Sequence, residues 1–306
     1  MSTSQNIQIH LPILKEQKVE LYIKREDLLH PFISGNKFRK LKYNLQEAEK
    51  QNKQSFVTFG GAYSNHILAT AAAGKEYGFT TVGVIRGEEL GVDLHKTLSQ
   101  NPTLRKAHEF GMNFLFVTRS QYQQKKESSF LMELENQFPN SYFLPEGGTN
   151  NLAIKGCEEI LTDADADFTH IACAMGTGGT VTGVINSSSI AQKVMVFPAL
   201  KGNWIVDEIK SLQPNKSNWK VISDYHFGGY GKITEELITF INEFKKETAI
   251  ALDPIYTGKM LFGILKEIQK GKFEQGDKIL AIHTGGLQGI EGVNLRLKQK
   301  NKRIIL

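Results

Sequence analysis

The chain has 306 residues, 40% of them hydrophobic, enough to bury a large core and, on domain size, to form about two domains. Its 37 basic and 32 acidic residues leave a net charge of +5; they are interspersed without a basic stripe or aromatic interleaving, so solubility explains them better than nucleic-acid binding, and no nucleic-acid partner is expected. Cys157 and Cys173 stand far apart without metal-ligand spacing, which predicts small apolar fillers in a reducing compartment and no metal site. The start, Met1-Ser2-Thr3-Ser4-Gln5-Asn6, has no basic n-region and no apolar h-region, which predicts a cytoplasmic protein. The longest nearly uncharged run, Phe168–Ile190, carries His170 and is broken by four glycines, so no membrane span is expected.

In chain order, Val19–Lys24 alternates like a strand, and Arg25-Glu26-Asp27 with Pro31 and Gly35 supplies loop chemistry. Phe38, Leu41, Leu45 and Ala48 then recur at helical spacing, which places Lys37 near the first turn of an amphipathic helix. Four cations between residues 37 and 42 at a positive helix end disfavour one another, so an amine there should lose its proton readily, as a Schiff-base lysine must. The alternative is a set of basic residues coating an exposed helix.

Apolar strand-like runs then alternate with helix-period segments, without repeats, predicting α/β structure with largely parallel sheets. The strand candidates are Ser55–Phe59, Thr81–Ile85, Asn113–Val117, Ser141–Leu144, Thr169–Ala174, Lys193–Phe197, Trp219–Ser223 and Lys278–His283; helices are predicted over Ser120–Phe138, Glu235–Lys246 and Lys259–Lys270, among others. Glycine turns after strands matter most, because open α/β sheets bind ligands beyond the carboxyl ends of their strands. At Gly60-Gly61-Ala62-Tyr63-Ser64-Asn65-His66 an alanine-rich helix follows the turn, and its free N–H groups would suit a carboxylate; ordinary capping by Ser64 or Asn65 and a packing role for His66 are the alternatives.

The most specific turn is Gly176-Thr177-Gly178-Gly179-Thr180 after a clear strand, a nest of N–H and hydroxyl donors suited to phosphate. A dinucleotide fingerprint would need glycine where Val181 stands, and a P-loop would need Gly-Lys-Ser/Thr where Gly183-Val184-Ile185 stands. That leaves the single terminal phosphate of a small cofactor, or a purely structural turn. Farther on, Gly228-Gly229-Tyr230-Gly231 holds an aromatic among glycines, Asp253-Pro254-Ile255-Tyr256-Thr257-Gly258-Lys259 leads a tyrosine into a helix, and His283-Thr284-Gly285-Gly286 is another strand-then-glycine turn. Singly, each tyrosine reads equally as packing.

Together these segments resemble the pyridoxal-phosphate enzymes of the tryptophan-synthase-β fold (fold type II), in the branch of D-cysteine desulfhydrase and 1-aminocyclopropane-1-carboxylate deaminase. The Gly176–Thr180 run is shared across that fold, while Lys24-Arg25-Glu26-Asp27 with Gly35-Asn36-Lys37, Gly60-Gly61 with Ser64-Asn65-His66, Pro145-Glu146-Gly147-Gly148, the Asp253–Lys259 run and His283–Gly286 are specific to the branch. The resemblance implies pyridoxal 5′-phosphate held covalently by Lys37, which also shuttles the proton at Cα. It gives the cofactor's 3′ oxygen to Asn65 and its phosphate to Gly176, Thr177, Gly178, Gly179 and Thr180. Ser64, with Asn65 and His66 beside it, would contact a small amino-acid substrate, touching its carboxylate or acting as nucleophile or proton relay, and Tyr230 and Tyr256 would bracket substrate and cofactor as further catalytic groups.

Thr257 would face the pyridine nitrogen, where the deaminase pattern has glutamate and the desulfhydrase pattern threonine; this favours D-cysteine elimination over cyclopropane opening, with a catalytically silent cofactor-binding protein as a further alternative. The chain departs from both patterns in a short Gly87–Arg105 segment and in Leu287-Gln288-Gly289-Ile290. The implied architecture is a large cofactor-binding domain of residues 1–40 and 153–306, a small α/β domain of 41–152 inserted in it, the cofactor in the cleft between them, and a homodimer.

Overall fold

The computed structural model describes residues 4–212 and 214–306. Among these residues ten strands fall in two sheets: β1 (Asn6–Ile9), β2 (Glu20–Lys24), β3 (Ser55–Gly60), β4 (Thr80–Arg86), β5 (Met112–Val117), β6 (Ser141–Leu144), β7 (His170–Met175), β8 (Lys193–Pro198), β9 (Trp219–Val221) and β10 (Lys278–Ile282). The larger sheet runs β1-β2-β10-β7-β8-β9 and the smaller β5-β4-β3-β6. Among the described residues only the β1–β2 pairing is antiparallel. The edge strand β1 carried no clear alternation, and its pairing to β2 supplies the order that its sequence does not announce.

Strands β7, β8 and β10 read as unbroken apolar runs because both faces of their sheet are covered. On one face Ala172, Ala174, Phe197, Ile279 and Ala281 pack against Leu237, Ile241, Leu261 and Ile264 of the helices Glu235–Thr248 and Thr257–Gln269. On the other, Ile171, Cys173, Met175, Val196 and Leu280 pack against Val181, Val184 and Ile185 of the Gly179–Ser187 helix and against Cys157. Both cysteines are free and buried in this layer, as fillers should be. The smaller sheet is sandwiched in the same way, with Leu41 and Ala48 of the Asn36–Lys50 helix meeting Phe56 and Leu144 and Phe130 and Leu134 covering Val57, Phe59 and Val84.

The helix predicted over Ser120–Phe138 is two: Arg119–Gln123, opened by a Thr118–Gln121 capping box, and Ser128–Gln137. Between the buried Tyr122 and Phe130 the sequence is wholly polar, so nothing anchors a continuous helix to the sheet there. The strand predicted over Trp219–Ser223 ends at Val221. The longest helices span 15 residues or fewer, and among the described residues no helix is long and apolar enough to cross a membrane.

Candidate active site

Loops from the carboxyl ends of both sheets converge on one cleft, and Lys37 stands in it. Gly35 has φ +62°, and a Cβ there would run into Thr284 O in the turn after β10, so only glycine lets the chain lie this close. Asn36 N donates to Thr284 O at 3.3 Å, and the Asn36–Lys50 helix starts at once. Lys37 is only 7% exposed, and among the described residues no partner accepts a hydrogen bond from its Nζ. Burial first, and the Lys40 ammonium second, hold its pKa well below 10.5. The sequence pointed to mutual repulsion within the cluster as the cause, and the structure corrects this. Arg39 is paired with the buried Glu26 at 2.8 and 2.9 Å, and Lys42 with Glu159 at 2.7 Å, so desolvation dominates. Lys37, Arg39 and Lys40 are all buried, which rules out a basic coat on an exposed helix.

The nest follows β7. Gly178 has φ +83°, and a Cβ there would press on Leu212 Cδ1 at 2.7 Å; the Gly179–Ser187 helix begins next, with no side-chain cap on its first N–H groups. Three side chains to which the sequence gave no part in the nest complete it. Asn36 Nδ2 donates to Thr180 Oγ1 at 2.7 Å. Thr149 Oγ1 meets Thr177 Oγ1 at 2.5 Å. The buried Lys40 Nζ donates to Gly147 O at 3.0 Å and Thr149 Oγ1 at 2.9 Å and lies 3.5 Å from Thr177 Oγ1. A nest of amide donors with an ammonium beside it is built for an anion. Lys40 was legible in principle, since it stands three residues from Lys37 on one helix face.

After β3, Ser64 caps the Asn65–Tyr77 helix, its Oγ accepting from Ile67 N at 3.4 Å. The half-buried Asn65 makes no side-chain hydrogen bond among the described residues. His66 is buried against Thr58 Oγ1 at 2.8 Å; burial and the two nearby lysines hold it well below its ordinary pKa, so it is neutral and packed. Its Nδ1 has no hydrogen-bond partner among the described residues.

On the opposite wall, the Tyr256 ring lies against Gly176, 3.1 Å from where a Cβ would stand. Its pKa is driven well above 10 by burial and by Tyr230, whose ring centre is 6.2 Å away. Tyr230 is 53% exposed and forms the outer rim. Thr257 is fully buried, its hydroxyl donating to Asp253 Oδ2 at 2.6 Å and accepting from Asp253 N at 3.0 Å. Asp253 is otherwise occupied by the N–H groups of Ile255, Tyr256 and Thr257. Lys259 Nζ reaches back to His226 O and Gly229 O, each at 2.9 Å, tying the loop that carries Tyr230 to the helix that follows Tyr256.

A carbonyl- and phosphate-bearing cofactor fits these residues. It would cover the Lys37 amine and offer a partner to Asn36 Oδ1, which is buried without one among the described residues; such an orphan is costly unless a ligand satisfies it. Fold and site thus define an enzyme that carries such a cofactor. Residues 7–285 match the family described as pyridoxal-phosphate dependent enzyme, and the chain belongs to that family; pyridoxal phosphate is its cofactor. The chain is 32% identical to the protein named "Putative 1-aminocyclopropane-1-carboxylate deaminase" of Pyrococcus horikoshii, over 92% of this chain and 89% of that protein. It is 30% identical to the mitochondrial bifunctional D-cysteine desulfhydrase/1-aminocyclopropane-1-carboxylate deaminase of Arabidopsis thaliana, over 89% and 73% respectively. Among solved structures, a homologue of 1-aminocyclopropane-1-carboxylate deaminase superposes with a TM-score of 0.79 at 29% identity, covering 96% of this chain and 94% of that one.

Proposed function

We propose that this enzyme eliminates the β-substituent of D-cysteine or a related D-amino acid, releasing sulfide, pyruvate and ammonia. Thr257 carries the choice of reaction. The resemblance sets it opposite the pyridine nitrogen, and its hydroxyl hydrogen is already given to Asp253, leaving a neutral lone pair there. A lone pair supports a charged ring nitrogen far less than a glutamate would, which suits expulsion of a good leaving group better than opening of a carbon–carbon bond.

Bound pyridoxal phosphate supplies the electron sink at Cα. Lys37, disposed by burial towards the neutral amine, is the group to hold the cofactor's aldehyde carbon and to take the Cα proton. Gly176, Thr177, Gly178, Gly179 and Thr180 hold the phosphate, with Lys40 beside them, and Asn65 holds the 3′ oxygen. Ser64 and the N–H groups of its helix start receive the substrate carboxylate, with His66 packed behind. Tyr256, kept protonated by burial, and Tyr230 at the rim flank the reacting carbons. The same reading divides the chain into residues 1–40 with 153–306 and an inserted 41–152, and makes it a cytoplasmic homodimer.

A second reaction, conversion of 1-aminocyclopropane-1-carboxylate to 2-oxobutyrate and ammonia, draws support from the names of the Pyrococcus and Arabidopsis relatives. Keto-acid release from D- and L-cysteine, β-chloro-D-alanine, D-serine and the cyclopropane substrate tests both. Pyruvate from the D-cysteine pair should dominate. Dominant 2-oxobutyrate would transfer the assignment to the deaminase, and no turnover of any member by cofactor-loaded protein would leave a silent cofactor-binding protein.

A further inference from the structure

A cavity of about 490 Å³ is bounded by Gly61 and Ala62 ahead of Ser64, by Arg86 and by Tyr122, Lys125 and Glu146. That volume falls in the range of small-molecule sites, roughly 300–1,000 Å³, and exceeds what a three-carbon amino acid fills. The cavity neighbours the cofactor wall: its Glu146 precedes Gly147, whose carbonyl binds Lys40, and the charges of Arg86 and Glu146 act on the Tyr230 hydroxyl at the rim.

The charges of the cavity do not cancel. Arg119 is paired with Glu89 at 2.5 Å and Lys125 with Glu146 at 3.5 Å, while Tyr122 Oη also donates to Glu146 at 2.7 Å. Arg86, at the carboxyl end of β4, has no carboxylate within ion-pair distance among the described residues. Its guanidinium lies 5.8 Å from the centre of the Tyr122 ring, and one of its nitrogens is 3.8 Å from where a Cβ on Gly61 would stand. A fork-shaped cation steadied on an aromatic face, with its donors open to a cavity, suits a carboxylate.

We propose that Arg86 forms a side-chain subsite for an anionic leaving group, so that the preferred substrates are β-thio-substituted D-alanines whose sulfur carries a carboxylate-bearing arm. This deepens, and rests on, the elimination reading above. In the reaction the Cα–H and Cβ–S bonds break, the thiolate leaves with its electron pair and takes up a proton, and 2-aminoacrylate is hydrolysed by one water to pyruvate and ammonia. No oxidant or reductant is required.

The test compares S-(carboxymethyl)-D-cysteine with S-(carbamoylmethyl)-D-cysteine, which match in shape and differ in charge, on the cofactor-loaded wild type, Arg86→Gln and Arg86→Lys. The wild type should favour the carboxylate by about tenfold or more in kcat/KM, mainly through KM, as expected when a charge-assisted bidentate contact replaces a neutral one. Arg86→Gln should erase the preference and Arg86→Lys should keep part of it. Equal losses for both compounds in Arg86→Gln would assign Arg86 to the α-carboxylate and overturn the subsite, as would a wild type with no preference. Dissociation constants for both compounds, read from the shift of the cofactor's visible band, keep the outcomes apart: a charge preference in binding without pyruvate from any thioether or from D-cysteine would refute the elimination reading and leave the subsite standing.

Discussion

Lys259→Met separates the placing of Tyr230 from the chemistry around it. Lys259 is 2% exposed, and its Nζ holds His226 O and Gly229 O at 2.9 Å each, in a loop whose Phe227, Gly228, Gly229 and Gly231 all have positive φ. A loop so strained for L residues does not keep its shape by local preference, so the ammonium is its fastening. Hydrogen bonds to a charged donor contribute roughly 1.5–3 kcal/mol each. Part of that loss is offset because methionine needs no desolvation, whereas burial lowers the Lys259 pKa to about 8. We expect a net destabilisation of the loop of about 1–2 kcal/mol, read as a fall of roughly five- to thirtyfold in kcat/KM. The visible cofactor band should be unchanged, because Lys37 and the nest are untouched.

The pH dependence gives an independent readout. The folded pKa lies below that of the unfolded lysine, so between about pH 8 and 10.5 the unfolded chain binds more protons. Lys259 therefore costs stability below about pH 8, and that cost is relieved as pH rises through this window. Urea unfolding of the wild type should show a rise there that Lys259→Met lacks. Full activity in Lys259→Met alongside a large loss in Tyr230→Phe would refute the fastening, as would loss of cofactor from Lys259→Met.

Three further outcomes are expected. Lys37→Ala should lose the borohydride-fixable cofactor and turnover by several orders of magnitude, since covalent catalysis goes with the amine; mass spectrometry that finds the reduced adduct on another lysine would refute the assignment. Gly178→Val forces a β-branched side chain onto φ +83° and against Leu212, so the cofactor dissociation constant should rise by about tenfold or more while turnover at saturating cofactor changes less; the reverse pattern would remove the phosphate from this turn. Thr257→Glu should narrow the gap between D-cysteine and cyclopropane turnover without closing it, because the substitution removes the two hydrogen bonds of the Thr257 hydroxyl with Asp253 and a misplaced group costs rate steeply; kcat/KM for both substrates on both proteins measures this.

The strands were legible because parallel strands buried on both faces must be unbroken apolar runs, and the Lys37 turn and the Gly176–Thr180 nest because a positive φ or a close approach leaves glycine in the sequence. The break at 124–127 was hidden, since a polar stretch continues a helical pattern as readily as it interrupts one. The cofactor wall was visible only in part. Nothing in the order of residues shows that Lys40 comes to lie under Thr177, that Thr149 meets the same hydroxyl, or that Lys259 holds carbonyls some thirty residues back in the chain. Each of these contacts joins segments brought together by sheet pairing, and a side chain's charge and reach are written locally while its partner is not. Even the state of Lys37 was decided this way: the sequence placed cations beside it, and only packing removed the water and paired Arg39 and Lys42 elsewhere, leaving desolvation as the force that frees the amine.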